Sequence, residues 1–276
     1  MKITLAINTY NRKDILEKSI CSLKKVKYLD QVNVRIYDDK STDYNYDFLR
    51  ELIPFAETII VRKQNLKADK NMYMMYKEFL LTEDEYLIQI DSDMIYNENF
   101  IQKSKEVCNE LNTREFVASL YNSNLHKSNM NKEKLIAETV FKEKKTIGGA
   151  CVLFSRKTIE KILENIVIKN DDFKNYDYRW SNYLIKNKIK IFVSEESYVQ
   201  HIGFEGQNTR GVSYFDLGKN FKATNFDDSN FLLKFYEEII SCQKEYYENQ
   251  GLKFFIKKFI KRNILYIKGL GIKLSC

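Results

Sequence analysis

Glycine and proline are scarce, nine and one among 276 residues. That scarcity excludes collagen-like, linker-rich and low-complexity architectures. No run approaches the ~18 consecutive apolar residues that a membrane-spanning helix needs. The five cysteines (Cys21, Cys108, Cys151, Cys242, Cys276) are odd in number and never spaced C-x-x-C. This argues against a disulfide framework or a cysteine zinc site, and a reducing compartment fits. Residues 1–8 hold only a short apolar stretch before Asn and Arg, unlike a signal peptide, so the expectation is a cytoplasmic protein. Both the G-x-G-x-x-G turn and the P-loop are missing. A nucleotide bound here is not cradled by a glycine-rich turn.

Aromatic residues are plentiful, with 19 Tyr and 18 Phe, and 44% of the chain is hydrophobic. Such rings are costly to leave in water, and the length suffices to bury the core of one large domain or two small ones.

Charge is unevenly spread. The net +7 is 45 Lys and Arg minus 38 Asp and Glu. Lys253, Lys257, Lys258, Lys261, Arg262, Lys268 and Lys273 carry the whole excess, with no acid after Gly251. The body is electrically neutral, so no nucleic-acid partner is expected. Wound as a helix, residues 252–268 set Leu252, Phe255, Ile256, Phe259, Ile260, Ile264 and Ile267 on one side and most cations on the other. A basic amphipathic helix of this kind suits the surface of an anionic bilayer, here the inner face of the cell membrane, through residues 252–273. The same helix could instead pack on the core, or join C-terminal helices of a second copy in an oligomer.

Short β-like runs at residues 3–7, 32–37, 58–61 and 86–90 alternate with helical patterns at 13–25, 46–52 and 70–81. This is the signature of β-α-β units and a largely parallel sheet. Residues 118–121, 150–154 and 190–193 read as further strands, a helix follows Asn175, and the pattern is helical from Ser229. The polar stretch 122–145 reads as a loop or lid, and 203–220 is a second candidate for closing over a site. The expected class is α/β with a mixed, mostly parallel sheet flanked by helices. Its main domain spans residues 1–218, with halves at about 1–120 and 121–218, and a helical C-terminal region covers 219–276.

Ligands of open α/β sheets gather at the carboxyl ends of the strands. There the chain carries Asn8-Thr9-Tyr10-Asn11-Arg12, Asp38-Asp39-Lys40-Ser41-Thr42-Asp43 and Asp91-Ser92-Asp93. Two carboxylates one residue apart can share a hard divalent cation, Mg2+ or Mn2+, whose shell a diphosphate completes. Taken alone, a D-x-D is equally an ordinary solvated turn.

The ordered series Ile7 to Arg12, Tyr37 to Asp43, Asn65 to Asn71 and Ile90 to Asp93 resembles the nucleotide-binding half of the GT-A glycosyltransferases, specifically the inverting, metal-dependent family 2. The resemblance covers about residues 1–205. It implies a Rossmann-like GT-A fold and a donor site of Asn8, Tyr10, Arg12, Asp38, Asp39, Asn65, Lys70, Asp91 and Ser92. It also implies a cation held by Asp91, Asp93 and His201, the last within His201-Ile202-Gly203. Lys40 stands where the family's turn has Gly, and Leu66 follows Asn65 where Gly is common. On the acceptor side, Gly149 lies in a Gly-Gly turn before a strand, and Tyr176 and Trp180 accompany Asp177, the candidate base. Asp171 and Asp172 compete for that last role.

The implied reaction moves a sugar (of hexosyltransferase type) from a nucleotide-diphosphate donor, a UDP-sugar foremost, to a hydroxyl of a glycan or glycolipid in cell-surface polysaccharide synthesis. Rival readings are a nucleotidyltransferase or other nucleotide-sugar enzyme, and a non-catalytic module recruited to a membrane. A nucleotidyltransferase would want a Gly-rich loop after the first strand, where this chain has Asn-Thr-Tyr-Asn-Arg.

Overall fold

The computed structural model describes residues 1–112, 115–123, 133–136, 138–203 and 215–249. Its first half runs β1 (Ile3–Thr9), α1 (Lys13–Leu23), β2 (Asn33–Asp38), α2 (Tyr46–Leu52), β3 (Thr58–Val61), α3 (Ala68–Phe79), β4 (Tyr86–Asp91), β5 (Met94–Tyr96) and α4 (Phe100–Glu110). The second half runs β6 (Phe116–Ser119), β7 (Glu133–Ile136), β8 (Thr139–Glu143), β9 (Cys151–Ser155), α5 (Arg156–Asn165), α6 (Tyr176–Lys186), β10 (Lys190–Ser194), β11 (Val199–His201) and α7 (Phe226–Asn249).

Local chemistry sets several boundaries. The Asn45 side chain accepts the Phe48 amide at 3.0 Å and starts α2. The helix stops at Leu52, because Pro54 bars the helical conformation at Ile53. Strands β1 and β4 are buried almost throughout, which is why they read as continuous apolar runs rather than alternating ones.

The main sheet has the order β3-β2-β1-β4-β9-β6-β10-β8-β7. Pairing is parallel from β3 to β4 and between β6 and β10, and antiparallel elsewhere, so every strand except β9 and β8 runs the same way. One face packs Ile3, Leu5 and Ile7 against α1, α2 and α4. The other packs Ala6 and Leu87 against α3, α5 and α6. A smaller antiparallel pair joins β11 to β5, and α7 covers it through Leu232, Phe235 and Ile239 on Ile95 and Ile202.

The stretch 122–145 departs from the expected loop or lid. Within it Glu133–Ile136 and Thr139–Glu143 pair as β7 and β8, and β8 pairs with β10 near the sheet edge. Residues 124–132, most of the second lid candidate and the basic segment 252–273 lie outside the described residues.

Candidate active site

Register brings the strand-end motifs together. Asn8 is the Cα partner of Tyr37 on one side and of Asp91 on the other, and Thr9 pairs with Asp38. Asn8 therefore stands between the Asp38-Asp39 turn and the D-x-D. Its amide donates to the Met75 sulfur at 3.4 Å. Arg62 holds the adjoining Asn71 from its other side, with Nε to Oδ1 at 2.8 Å, and forks onto Glu78. This brace between β3 and α3 was not anticipated from sequence, since Arg62 sits in no strand-end motif.

Beyond β4 the chain turns into β5, where Met94 pairs with His201. That pairing sets His201 Nε2 3.1 Å from Asp93 Oδ2, and Arg12 Nη2 reaches the same oxygen at 2.9 Å. Asp93 is almost completely buried, and its Oδ1 has no hydrogen-bond partner, nor do His201 Nδ1 and Arg12 Nη1. Burial opposes the charge on Asp93, but the His201 imidazolium and the Arg12 guanidinium overcome it and hold the carboxyl well below the usual range. Burial would lower His201, yet the Asp93 carboxylate raises it to about 9. Burial and then the Asp93 charge push Asp91 up. Gly203 presses on this group: a Cβ there would lie 2.0 Å from Asp93 Oδ2 and 2.7 Å from His201 Nε2.

Two carboxylates and an imidazole are the donor chemistry of a divalent-cation site, and the unpartnered Asp93 Oδ1 is an acceptor suited to one. Among the described residues, no three such side chains are already gathered around a common point.

The second strand end serves turns. Asp38 accepts the Ser41 amide at 3.0 Å and its hydroxyl at 2.5 Å, and Asp39 Oδ1 accepts the Leu66 amide at 2.7 Å. Both acids are buried, and desolvation raises both. Lys40, in place of the family's Gly, takes a left-handed φ of 66°. Asn65 is exposed and caps its own turn by accepting the Lys67 amide at 3.0 Å. Tyr10 is half-buried and Ser92 is buried beside the two acids of its motif. Lys70, expected on the donor, pairs with Asp171, and Asp172 pairs with Arg179 at 2.5 Å. Both rivals of Asp177 are thus exposed ion-pair partners.

Asp177 lies half-buried in the first turn of α6, near Asp69, and its Oδ1 accepts the Tyr178 amide at 2.8 Å. Burial raises the Tyr76 phenol well above its ordinary value, and the charges of Tyr176, Asp177 and Asp91 add to that rise. Tyr76 donates to Gln89 Oε1 at 2.6 Å, and Gln89 Nε2 donates to the Gly149 carbonyl at 2.7 Å. Gly149 is thereby fastened beside the strand end that carries Asp91. A polar Gln inside an apolar strand was the available signal for this relay, and the motif reading passed over it. Tyr176 and Trp180 correct the acceptor expectation. Both are fully buried, and Trp180 meets Phe154 edge-on at 5.5 Å, because their positions on α6 face the sheet. Neither ring is available to stack on a sugar.

A model of the family described as Glycosyl transferase family 2 matches residues 4–163. No curated protein matches the chain. Among solved structures, S. aureus TarS 1–349 is similar at 16% identity and a TM-score of 0.55, covering 72% of this chain and 60% of that one. The same protein in complex with UDP-GlcNAc gives 16% and 0.53, covering 72% and 58%. The mannosyltransferase PcManGT from Pyrobaculum calidifontis, in complex with GDP-Man and Mn2+, gives 14% and 0.50, covering 70% and 56%. At these identities the likeness shows a shared fold, and the chain spans less than two thirds of each of these proteins.

Proposed function

Because the chain belongs to glycosyl transferase family 2, whose model matches more than half of it, we propose that it transfers a sugar from a nucleotide-diphosphate donor to an acceptor hydroxyl. The observation that carries this reading is the meeting of Asp93, His201 and Arg12 beside Asn8 and Asp91 at the carboxyl ends of the sheet.

The donor's nucleoside end lies along Asn8, Tyr10 and the Asp38-Asp39 turn, with Asn65 and Ser92 at its margins. UDP is assigned as the nucleotide, since one similar structure contains UDP-GlcNAc, while another contains GDP-Man. Asp91, Asp93 and His201 would hold a divalent cation, Mn2+ or Mg2+, which supplies positive charge to a departing diphosphate. Arg12 adds a second positive charge on the same side. An acceptor hydroxyl is a weak nucleophile near neutral pH, so a carboxylate must take its proton as the new bond forms. Asp177, half-buried in the first turn of α6, is assigned that part. Attack from the Asp177 side with departure on the Asp93 side is one in-line displacement, and it inverts the anomeric carbon.

The acceptor is assigned to a cell-surface glycan or glycolipid made on the cytoplasmic side. No helix among the described residues is long and apolar enough to cross a membrane. The segregated cations of residues 252–273 support contact with an anionic bilayer, checked by whether deleting residues 252–276 abolishes binding to anionic vesicles.

The experiment that tests the main reading is a thermal-shift series with UDP-GlcNAc, UDP and GDP-mannose, each with and without Mn2+, followed by measurement of UDP release. A Mn2+-dependent stabilisation is expected, lost in Asp93→Ala. Asp177→Asn should keep that stabilisation and lose turnover by roughly 100-fold or more. Near-normal turnover in Asp177→Asn removes it as the base, and no nucleotide response in any condition overturns the reading.

A further inference from the structure

Building on the donor-site reading above, we propose that Arg12 is a counter-cation which the chain supplies to its own D-x-D motif. In this proposal its guanidinium gives up Asp93 to the divalent ion and swings to the donor's diphosphate.

The first support is the contact itself. Arg12 Nη2 occupies Asp93 Oδ2 at 2.9 Å, on the oxygen that His201 Nε2 also reaches, and Nη1 is buried without a partner. The guanidinium thus uses one arm of a fork built for paired oxygens. A single carboxylate arm leaves the fork half used, and two phosphate oxygens would fill it.

The second support is how the backbone beneath it is held. Asn11 and Arg12 both stand in the left-handed region, at φ 51° and 58°. Successive residues there are disfavoured for any side chain but glycine. The turn after β2 enforces the conformation with three bonds. Ser41 Oγ accepts the Asn11 amide at 2.8 Å, Asn11 Oδ1 accepts the Thr42 amide at 2.7 Å, and Asp43 accepts the Arg12 amide at 2.8 Å. The root of the side chain is therefore fixed to the turn that follows Asp38 and Asp39. Its long stem is about a third exposed. A fixed root under a long, partly exposed stem, standing between the nucleoside turn and the D-x-D, is what a handover from carboxylate to phosphate needs.

The third support is charge. The Arg12 guanidinium lies 2.9 Å from Asp93, on the carboxylate assigned to the divalent ion. A cation arriving at Asp93 meets the guanidinium as a competitor of like sign. Once a diphosphate is present, the same guanidinium becomes an additional ligand.

The experiment titrates the full chain with Mn2+ alone, read by electron paramagnetic resonance of the free ion, and then with UDP at saturating Mn2+. Arg12→Gln should bind Mn2+ roughly tenfold more tightly than wild type and UDP roughly tenfold more weakly. Arg12→Lys keeps the charge but not the fork. It should restore wild-type Mn2+ affinity and leave UDP weakened, a separation that general loss of structure would not produce. Unchanged or weaker Mn2+ binding in Arg12→Gln, or unchanged UDP binding, overturns the proposal. Asp93→Asn separates the two layers of argument. If it loses Mn2+ while Arg12→Gln behaves as wild type, only the role of Arg12 falls. If it binds Mn2+ like wild type, the metal reading falls and takes this proposal with it.

Discussion

Gly203 leaves no room for a methyl group. An added Cβ would sit 2.0 Å from Asp93 Oδ2, 2.7 Å from His201 Nε2 and 2.9 Å from Arg12 Nη1. Those three atoms are the ends of side chains, but each is pinned by the others, so none can retreat without breaking an ion pair. Gly203→Ala should therefore cost about 1–3 kcal/mol, as overpacking of a close-fitted site does. Urea denaturation measures the loss, and a variant as stable as wild type would show that Asp93 has slack. At this scale the sequence was partly legible. The resemblance implies a shared role for Asp93 and His201 at a cation, and the structure sets their side chains 3.1 Å apart. Arg12 was assigned to the donor, but its hold on Asp93 depends on two left-handed residues that no hydrophobic period announces. Trp180 and Tyr176 were misjudged because a helix N-terminus beside a site looks the same in sequence whichever face points inward.

Among the elements, α3, β4 and the Gly-Gly turn are tied by one buried side chain. Gln89 accepts from Tyr76 and donates to Gly149, and both Gln89 and Tyr76 are shut away from water. Gln89→Leu removes both bonds and leaves a buried hydroxyl and a carbonyl unmatched, at about 1–3 kcal/mol. Tyr76→Phe alone leaves the Gln89 oxygen unmatched. In the double variant the first penalty largely absorbs the second, so the two losses should fall short of additive by at least about 0.5 kcal/mol. Strict additivity in urea melts would mean that the two groups act independently. The elements were legible in proportion to their burial. Strands β1, β2 and β4 are interior to the sheet and parallel, and their buried apolar runs stood out. The β7–β8 hairpin did not, because it lies at the sheet edge and is made largely of charged residues. Lys142 there reaches Glu133 and Glu195, and Lys190 reaches Glu143. Strands β5 and β11 span three residues each, too short to show a period of two.

Across the whole molecule, the strand that presents His201 depends on a helix far away in sequence. Asp228, fully buried, sits one turn into α7, where Asn225 Oδ1 accepts its amide at 2.9 Å and caps the helix. Its carboxylate takes the Asn225 side-chain amide and the Ser22 hydroxyl, each at 2.7 Å, with Lys18 and Lys25 at 3.6 and 3.7 Å. Ser22 in turn accepts the Tyr96 amide at 3.0 Å, so α7, α1 and β5 share one polar joint. Because β5 pairs with β11, loosening that joint should loosen the backbone beneath His201. Asp228→Ala leaves the Ser22 hydroxyl and the Asn225 side-chain amide unmatched and should cost about 1–3 kcal/mol. Amide hydrogen exchange reads where the loss goes. Faster exchange is expected in α7 and across residues 94–96 and 199–201, with β1 and β4 unchanged, since neither strand takes part in the polar joint. Exchange that rises in α7 alone would mean the helix is only an appendage, and the polar joint would then carry nothing to the site.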